Sequence, residues 1–188
     1  MKKFELTTES IFVDGRKLYR IRAVKDFGDV KKGDLGGFVE TEDNLSQTDD
    51  AWVYGKAMVY GEARVYGKAK VYGNARVYEN AWVYENAWVC GNARVYGKAM
   101  VCGEAGVCGK ARICESNDYA TVIGFGSQLR TTTFFRQKDN SLGVKCDCFS
   151  GTMEEFKDKV TEIHGDNKYA KEYLMIAALM ELHFKEEG

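Results

Sequence analysis

Arg76, Arg94 and Arg112 stand eighteen residues apart, and Tyr60, Tyr78 and Tyr96 keep the same interval. Guanidinium forks grip phosphate bidentately, and aromatic rings stack on planar groups. Those residue types at that interval suit an anionic planar ligand, nucleotides better than lipids or sugars. Trp82 and Trp88 add further stacking surfaces, so the candidate ligand-binding set is Arg76, Arg94, Arg112, Tyr60, Tyr78, Tyr96, Trp82 and Trp88. The same residues also have a purely structural account. Each guanidinium lies over a neighbouring ring, or is neutralised by a partner subunit or by Glu62, Glu79, Glu85, Glu104 and Glu115, while the tyrosines pack on one another.

Other chemistry-bearing residues are sparse. Cys90, Cys102, Cys108 and Cys114 fall at one recurring slot otherwise held by Tyr, and in a chain without an export signal they are expected as reduced thiols. Cys146 and Cys148 form a C-x-C on a predicted strand, and His164 and His183 are the two histidines. Paired ligand spacing is missing, so neither a metal nor another cofactor is expected. Asp26, Asp29 and Asp34 with Gly33 and Gly36-Gly37 invite comparison with a phosphate or cation loop. Their spacing fits neither a P-loop nor an EF-hand, and a turn-rich lead-in is the better expectation.

The interval of eighteen comes from a shorter repeat. Residues 51–116 are eleven consecutive hexads such as AWVYGK, AMVYGE and ARVYGK, ending in ARICES. Alternation in A-x-V-Y turns Ala and Val to one side and the variable residue and Tyr to the other. The Gly-rich pair that follows supplies a corner. Three corners close a triangular coil of eighteen residues, with neighbouring coils about 4.8 Å apart. Absence of proline suits a ladder in which every coil must donate hydrogen bonds. Sorting by eighteens gives three faces: Trp52, Lys70, Trp88, Gly106; then Met58, Arg76, Arg94, Arg112; then Arg64, Trp82, Met100.

The rhythm resembles the left-handed β-helix, or hexapeptide-repeat, superfamily, with Tyr or Cys replacing the usual small or acidic residue after the aliphatic one. That resemblance implies a left-handed parallel β-helix, commonly assembled as a trimer, and acyl transfer as the best-known activity. Such transfer needs a histidine base in the cleft between subunits. The hexads contain no histidine, so a non-enzymatic protein is expected, with a degenerate acyltransferase as one alternative. The lead-in LYRIRAVKDFGDVKKGDLGGFVE and the closing TTTFFRQKDN…CDCFSGTMEEF…HGDNKYAKEY make the whole chain similar to small hexapeptide-repeat proteins of bacteriophages and prophages. This resemblance implies a binding or blocking role inside the infected or lysogenic bacterium. Its sharpest form is an anti-defence protein that sequesters a nucleotide-type immune signal. The other alternative is an inhibitor or structural module that contacts a host defence protein.

The expected organisation is an N-terminal hairpin cap (1–36), the β-helix (37–118) and a C-terminal α+β segment with two helices (119–188). Asp14-Gly15 is the predicted hairpin turn, between Ile11–Val13 and Arg16–Ala23. Stepping the hexad phase backwards puts Val39 and Leu45 in the small-residue slot. Beyond Ser116, strands are predicted over 121–123, 129–136 and 143–149, with a turn at 138–140. Thr152 and Asp166 are the predicted caps of the two helices. A near-zero formal charge of −1 argues against continuous duplex DNA as a partner. The N-terminal residues lack the apolar core of a signal peptide, and no apolar run is long enough to span a bilayer, so a cytoplasmic location is expected.

Overall fold

The computed structural model describes residues 2–185, and in it the hexads wind into a parallel β-solenoid with three sheets. Each hexad contributes a two-residue strand, such as Trp52–Val53, Met58–Val59 or Arg64–Val65. Pairing runs eighteen residues apart, and Trp52, Lys70, Trp88 and Gly106 align on the first face. Met58, Arg76, Arg94 and Arg112 align on the second. Arg64, Trp82 and Met100 align on the third. Inward Ala and Val or Ile side chains from Ala51 to Ile113 are at most 1% exposed, so the core is one continuous aliphatic column. Burying two such methyl-bearing groups per hexad is the main stabilising contribution of the repeat.

The corners explain how the hexads tolerate variation. Most carry Gly at positive φ, but Glu79 and Glu85 take the same left-handed conformation, at φ 60° and 58°. Their carboxylates accept hydrogen bonds from the Gly97 and Gly103 N–H groups one coil later, at 2.8 and 2.7 Å. The charge-assisted bond offsets the backbone cost that a Cβ incurs there.

Phasing of the first coil differs from expectation. Val39 pairs with Val59 and Leu45 bridges to Val65, so both occupy the aliphatic slot, not the small-residue slot. Two additional residues sit in the corner formed by 46–50, and simple backward counting could not detect them. Lys3 closes this enlarged corner from within. Its Nζ donates to the Asp49 and Ala51 carbonyls at 2.9 and 2.8 Å and lies 3.6 Å from the Asp49 carboxylate.

Strands Phe4–Val13 and Arg16–Ala23 form the hairpin, turned through Asp14-Gly15 at φ 51° and 77°. The second strand pairs antiparallel with Leu35–Val39, which joins the second-face sheet, so the hairpin extends that sheet. Asp26 and Asp34 accept backbone N–H groups of Lys32 and Lys31, while Asp29 binds Tyr54 Oη and Lys70 Nζ. The aspartate loop is therefore a self-capped turn lying on the first face.

At the other end, Tyr119–Val122, Thr132–Arg136, Leu142–Cys146 and Phe149–Thr152 make a four-stranded antiparallel sheet. The expected strand over 129–136 starts only at Thr132, because Leu129 has φ 52°. Phe149 opens a fourth strand instead of ending the third, since Asp147 turns the chain at φ 49°. Cys148 lies in that turn, not on a strand. Helix α1 (Met153–His164) starts from the Thr152 capping box, as predicted. The N-cap of α2 (Lys168–His183) is Asn167, not Asp166, and its side chain accepts from Tyr169 and Ala170 N–H. Helix and sheet share a core of Phe134, Val144, Phe156, Tyr173 and Ala177. The sheet seals the last coil through an Ala111–Gln137 bridge and a Gly106 N–H donated to Thr133 Oγ1.

Candidate functional site

The second face brings the three arginines and three tyrosines together as the eighteen-residue index predicts. Tyr60, Tyr78 and Tyr96 stack with centroid spacings of 5.1 and 5.2 Å and ring planes 5° apart. This stacking is a consequence of the inter-strand spacing, which nearly matches the preferred offset of aromatic rings. It also limits their chemistry. Both faces of Tyr78 are covered, and Tyr60 is buried beneath Leu18 and Phe38, with its hydroxyl donated to Asp14 at 2.9 Å. Burial, with the Asp14 carboxylate adding to it, pushes the Tyr60 phenol up to about 12. Tyr60 is thus part of the hairpin junction, and Tyr96, at the far end of the column, is the tyrosine best placed to meet a ligand.

The arginines are graded along the same axis. Arg76 lies 3.9 Å from Asp14, near the hairpin. Arg112 donates to the Asn92 and Ala111 carbonyls at 3.2 and 3.0 Å. Burial and the adjacent Arg94 charge lower the Arg112 pKa, which marks a row of like charges held together by the sheet register. Glu79 and Glu85 form no ion pair with this row among the described residues; one oxygen of each accepts a backbone N–H instead.

Beside Arg112 the second face opens into a cavity of about 540 Å³ between the end of the last coil and the turn that follows Arg136. Tyr96, Arg112, Asp118, Arg136 and Lys138 line it. Asp118 accepts the Cys114 and Glu115 N–H groups and lies 3.5 Å from Arg136, which also donates to the Phe184 carbonyl. Arg136 is thus already paired, and Arg112 and Lys138 are the cations that the described lining offers to a ligand. Sequence reasoning missed Asp118, Arg136 and Lys138, because the hexad rhythm has ended there and no periodic index places them.

The two tryptophans lie elsewhere. Trp82 is on the third face, edge-on to Tyr66 at 6.1 Å, and Trp88 is on the first, beneath the Lys145 ammonium at 5.4 Å. Neither meets the arginine row, since a shift of one hexad moves a side chain to the next face. The third face is the least covered, with Trp82 40% and Met100 42% exposed. His164 packs on Tyr169 and Tyr173 within the helical segment, and no His/Cys/Asp/Glu group suited to a metal occurs among the described residues.

Cysteine placement departs from the expectation of reduced thiols. Cys90 and Cys108, stacked on adjacent coils with Cα atoms 4.6 Å apart, are joined as a disulfide. In-register coils put successive residues of one column within bridging distance, so the shared repeat slot is itself what permits the bond.

Fold and face together define a parallel β-solenoid with one cationic, tyrosine-backed side. Residues 69–85 and 87–103 match the family described as YdcK Beta solenoid repeat, and these coils are similar to that repeat. Comparison with curated proteins gives no match. No helix among the described residues is long and apolar enough to cross a membrane.

Proposed function

We propose that this protein is a non-catalytic binding module that captures an anionic, planar ligand of the nucleotide class at the upper end of the second face. The observation that carries this reading is the arginine row ending in a cavity that Arg112 and Lys138 line beside Tyr96. Arg94, Arg112 and Lys138 hold phosphate, and the planar group lies against Tyr96 and the guanidinium planes. In a phage setting, the role is sequestration of a host immune signal. Calorimetry with a panel of cyclic and linear nucleotides tests it. One member should bind, and Arg94→Ala with Arg112→Ala should weaken it by about a hundredfold, the loss of two charge-assisted contacts. A panel that gives no heat, or a double variant that binds like wild type, ends the proposal.

A trimer packed through the open third face accompanies this reading. Its support is the exposure of Trp82 and Met100 on an otherwise regular wall. Light scattering should give three times the chain mass, falling to one for Trp82→Arg; a wild-type monomer rejects the assembly.

A second reading, a module that inhibits a host protein, is favoured by α2. Met175, Leu179 and Leu182 are exposed at helical spacing opposite its buried side. A stoichiometric host protein retained by wild type and lost on deleting 150–188 would select it.

A further inference from the structure

The geometry points to a second ligand site, in the C-terminal segment, for a small aromatic carboxylate. A cleft of about 680 Å³ opens between the Cys146–Phe149 turn, α1 and the loop before Thr132. This is the size range of small-molecule sites, and it is separated in the fold from the arginine row. Its wall is aromatic: Phe156 meets Tyr173 edge-on at 5.7 Å, and Phe149 is tilted against Phe156 at 5.7 Å. Val160 and Ile163 of α1 continue the apolar surface.

The loop that forms one side is held in place by specific contacts. Gly126 donates its N–H to Glu172 at 2.9 Å, and a Cβ at this position would lie 2.0 Å from the Tyr173 hydroxyl. Arg130 pairs with Asp147 across the cleft. Such anchoring keeps the space open when an apolar surface alone would favour collapse. Polar groups at the rim set the ligand's other end. Among the described lining residues Arg130 and Lys159 are the cations and Asp147 the carboxylate, and the Asp147 charge is already committed to Arg130. Lys159 pairs with Glu162 on the exposed side of α1, an i,i+3 contact that a ligand carboxylate can replace at small cost. An aromatic body seated among Phe149, Phe156 and Tyr173, with its carboxylate at Lys159, satisfies both parts.

The probes are indole-3-acetate and phenylacetate, each against its neutral amide, titrated into the full chain by calorimetry and ligand-observed NMR. At least one carboxylate should saturate and bind about tenfold tighter than its amide, the size of one charge-assisted hydrogen bond. Lys159→Ala should erase that preference. Val160→Trp, which fills the cleft, should abolish binding. Ile163 is 61% exposed, so Ile163→Trp obstructs the mouth without burdening the core and should weaken binding even where Val160→Trp fails to fold. Lack of saturation by both carboxylates overturns the site. So does equal binding of acid and amide, or unchanged affinity in Ile163→Trp.

Discussion

Lys3 shows how much one buried charge contributes at the residue scale. Its ammonium is enclosed by the Asp49 and Ala51 carbonyls, and burial lowers its pKa from 10.5 to about 8 despite the Asp49 carboxylate. Between those values the unfolded chain binds more protons than the folded one, so stability rises as pH increases from about 8 towards 10.5. Cys114 and the buried tyrosines act in the opposite sense, because their folded pKa values are raised: stability falls above about 9 for Cys114 and above about 10 for Tyr60. The Lys3 contribution is therefore read as a difference. Urea midpoints of wild type should climb more steeply between pH 8 and 9 than those of Lys3→Met; parallel profiles would show that Lys3 releases its proton at the ordinary value. None of this was visible in the sequence, since nothing in the N-terminal residues reveals that a lysine plugs a corner forty-six residues later.

At the scale of elements, the solenoid depends on a few close approaches where the lead-in meets the first coil. A Cβ on Gly36 would lie 2.5 Å from Ile21 and 2.6 Å from the Val53 carbonyl oxygen. Backbone cannot yield there as a flexible side-chain tip would, so Gly36→Ala should cost about 2–3 kcal/mol in denaturant unfolding. A loss under a few tenths would mean the hairpin docks less tightly than the structure has it. The repeat strands themselves were legible because A-x-V-Y alternates with period two, and each corner carries turn residues. Legibility failed where a corner lengthens without changing composition, as before Ala51, and where non-glycine residues adopt positive φ, as at Leu129 and Asp147. The site divides along the same line. Periodicity aligned Arg76, Arg94 and Arg112, but it could not show that Tyr60 is roofed by the hairpin, or that Asp118, Arg136 and Lys138 complete the cavity.

Across the whole molecule, a stack of near-identical coils is stabilised by nearest-neighbour contacts, and its ends are closed by the hairpin and the terminal sheet. The Cys90–Cys108 bond links two coils across a sequence separation of eighteen residues, late in the stack. Restricting an unfolded loop of that length contributes about 3 kcal/mol. Cys90→Ser with Cys108→Ser should lower unfolding stability by that amount while leaving the far-UV circular dichroism unchanged. A reductant should reproduce the loss in wild type, and a protein indifferent to both treatments would carry free thiols at this pair.

The mismatch between the six-residue repeat and the eighteen-residue coil has a consequence for how such a gene changes length. Tandem copies invite replication slippage, and the natural unit of slippage is one hexad. Gaining or losing one copy would index the terminal sheet by a third of a revolution about the stack, so that a different wall met Lys138 and Arg136. Changes by three copies would restore the alignment and alter only reach, by about 4.8 Å for each coil. The array behaves as a ratchet with three stops, and inherited length variants should be dominated by those that return to the same stop.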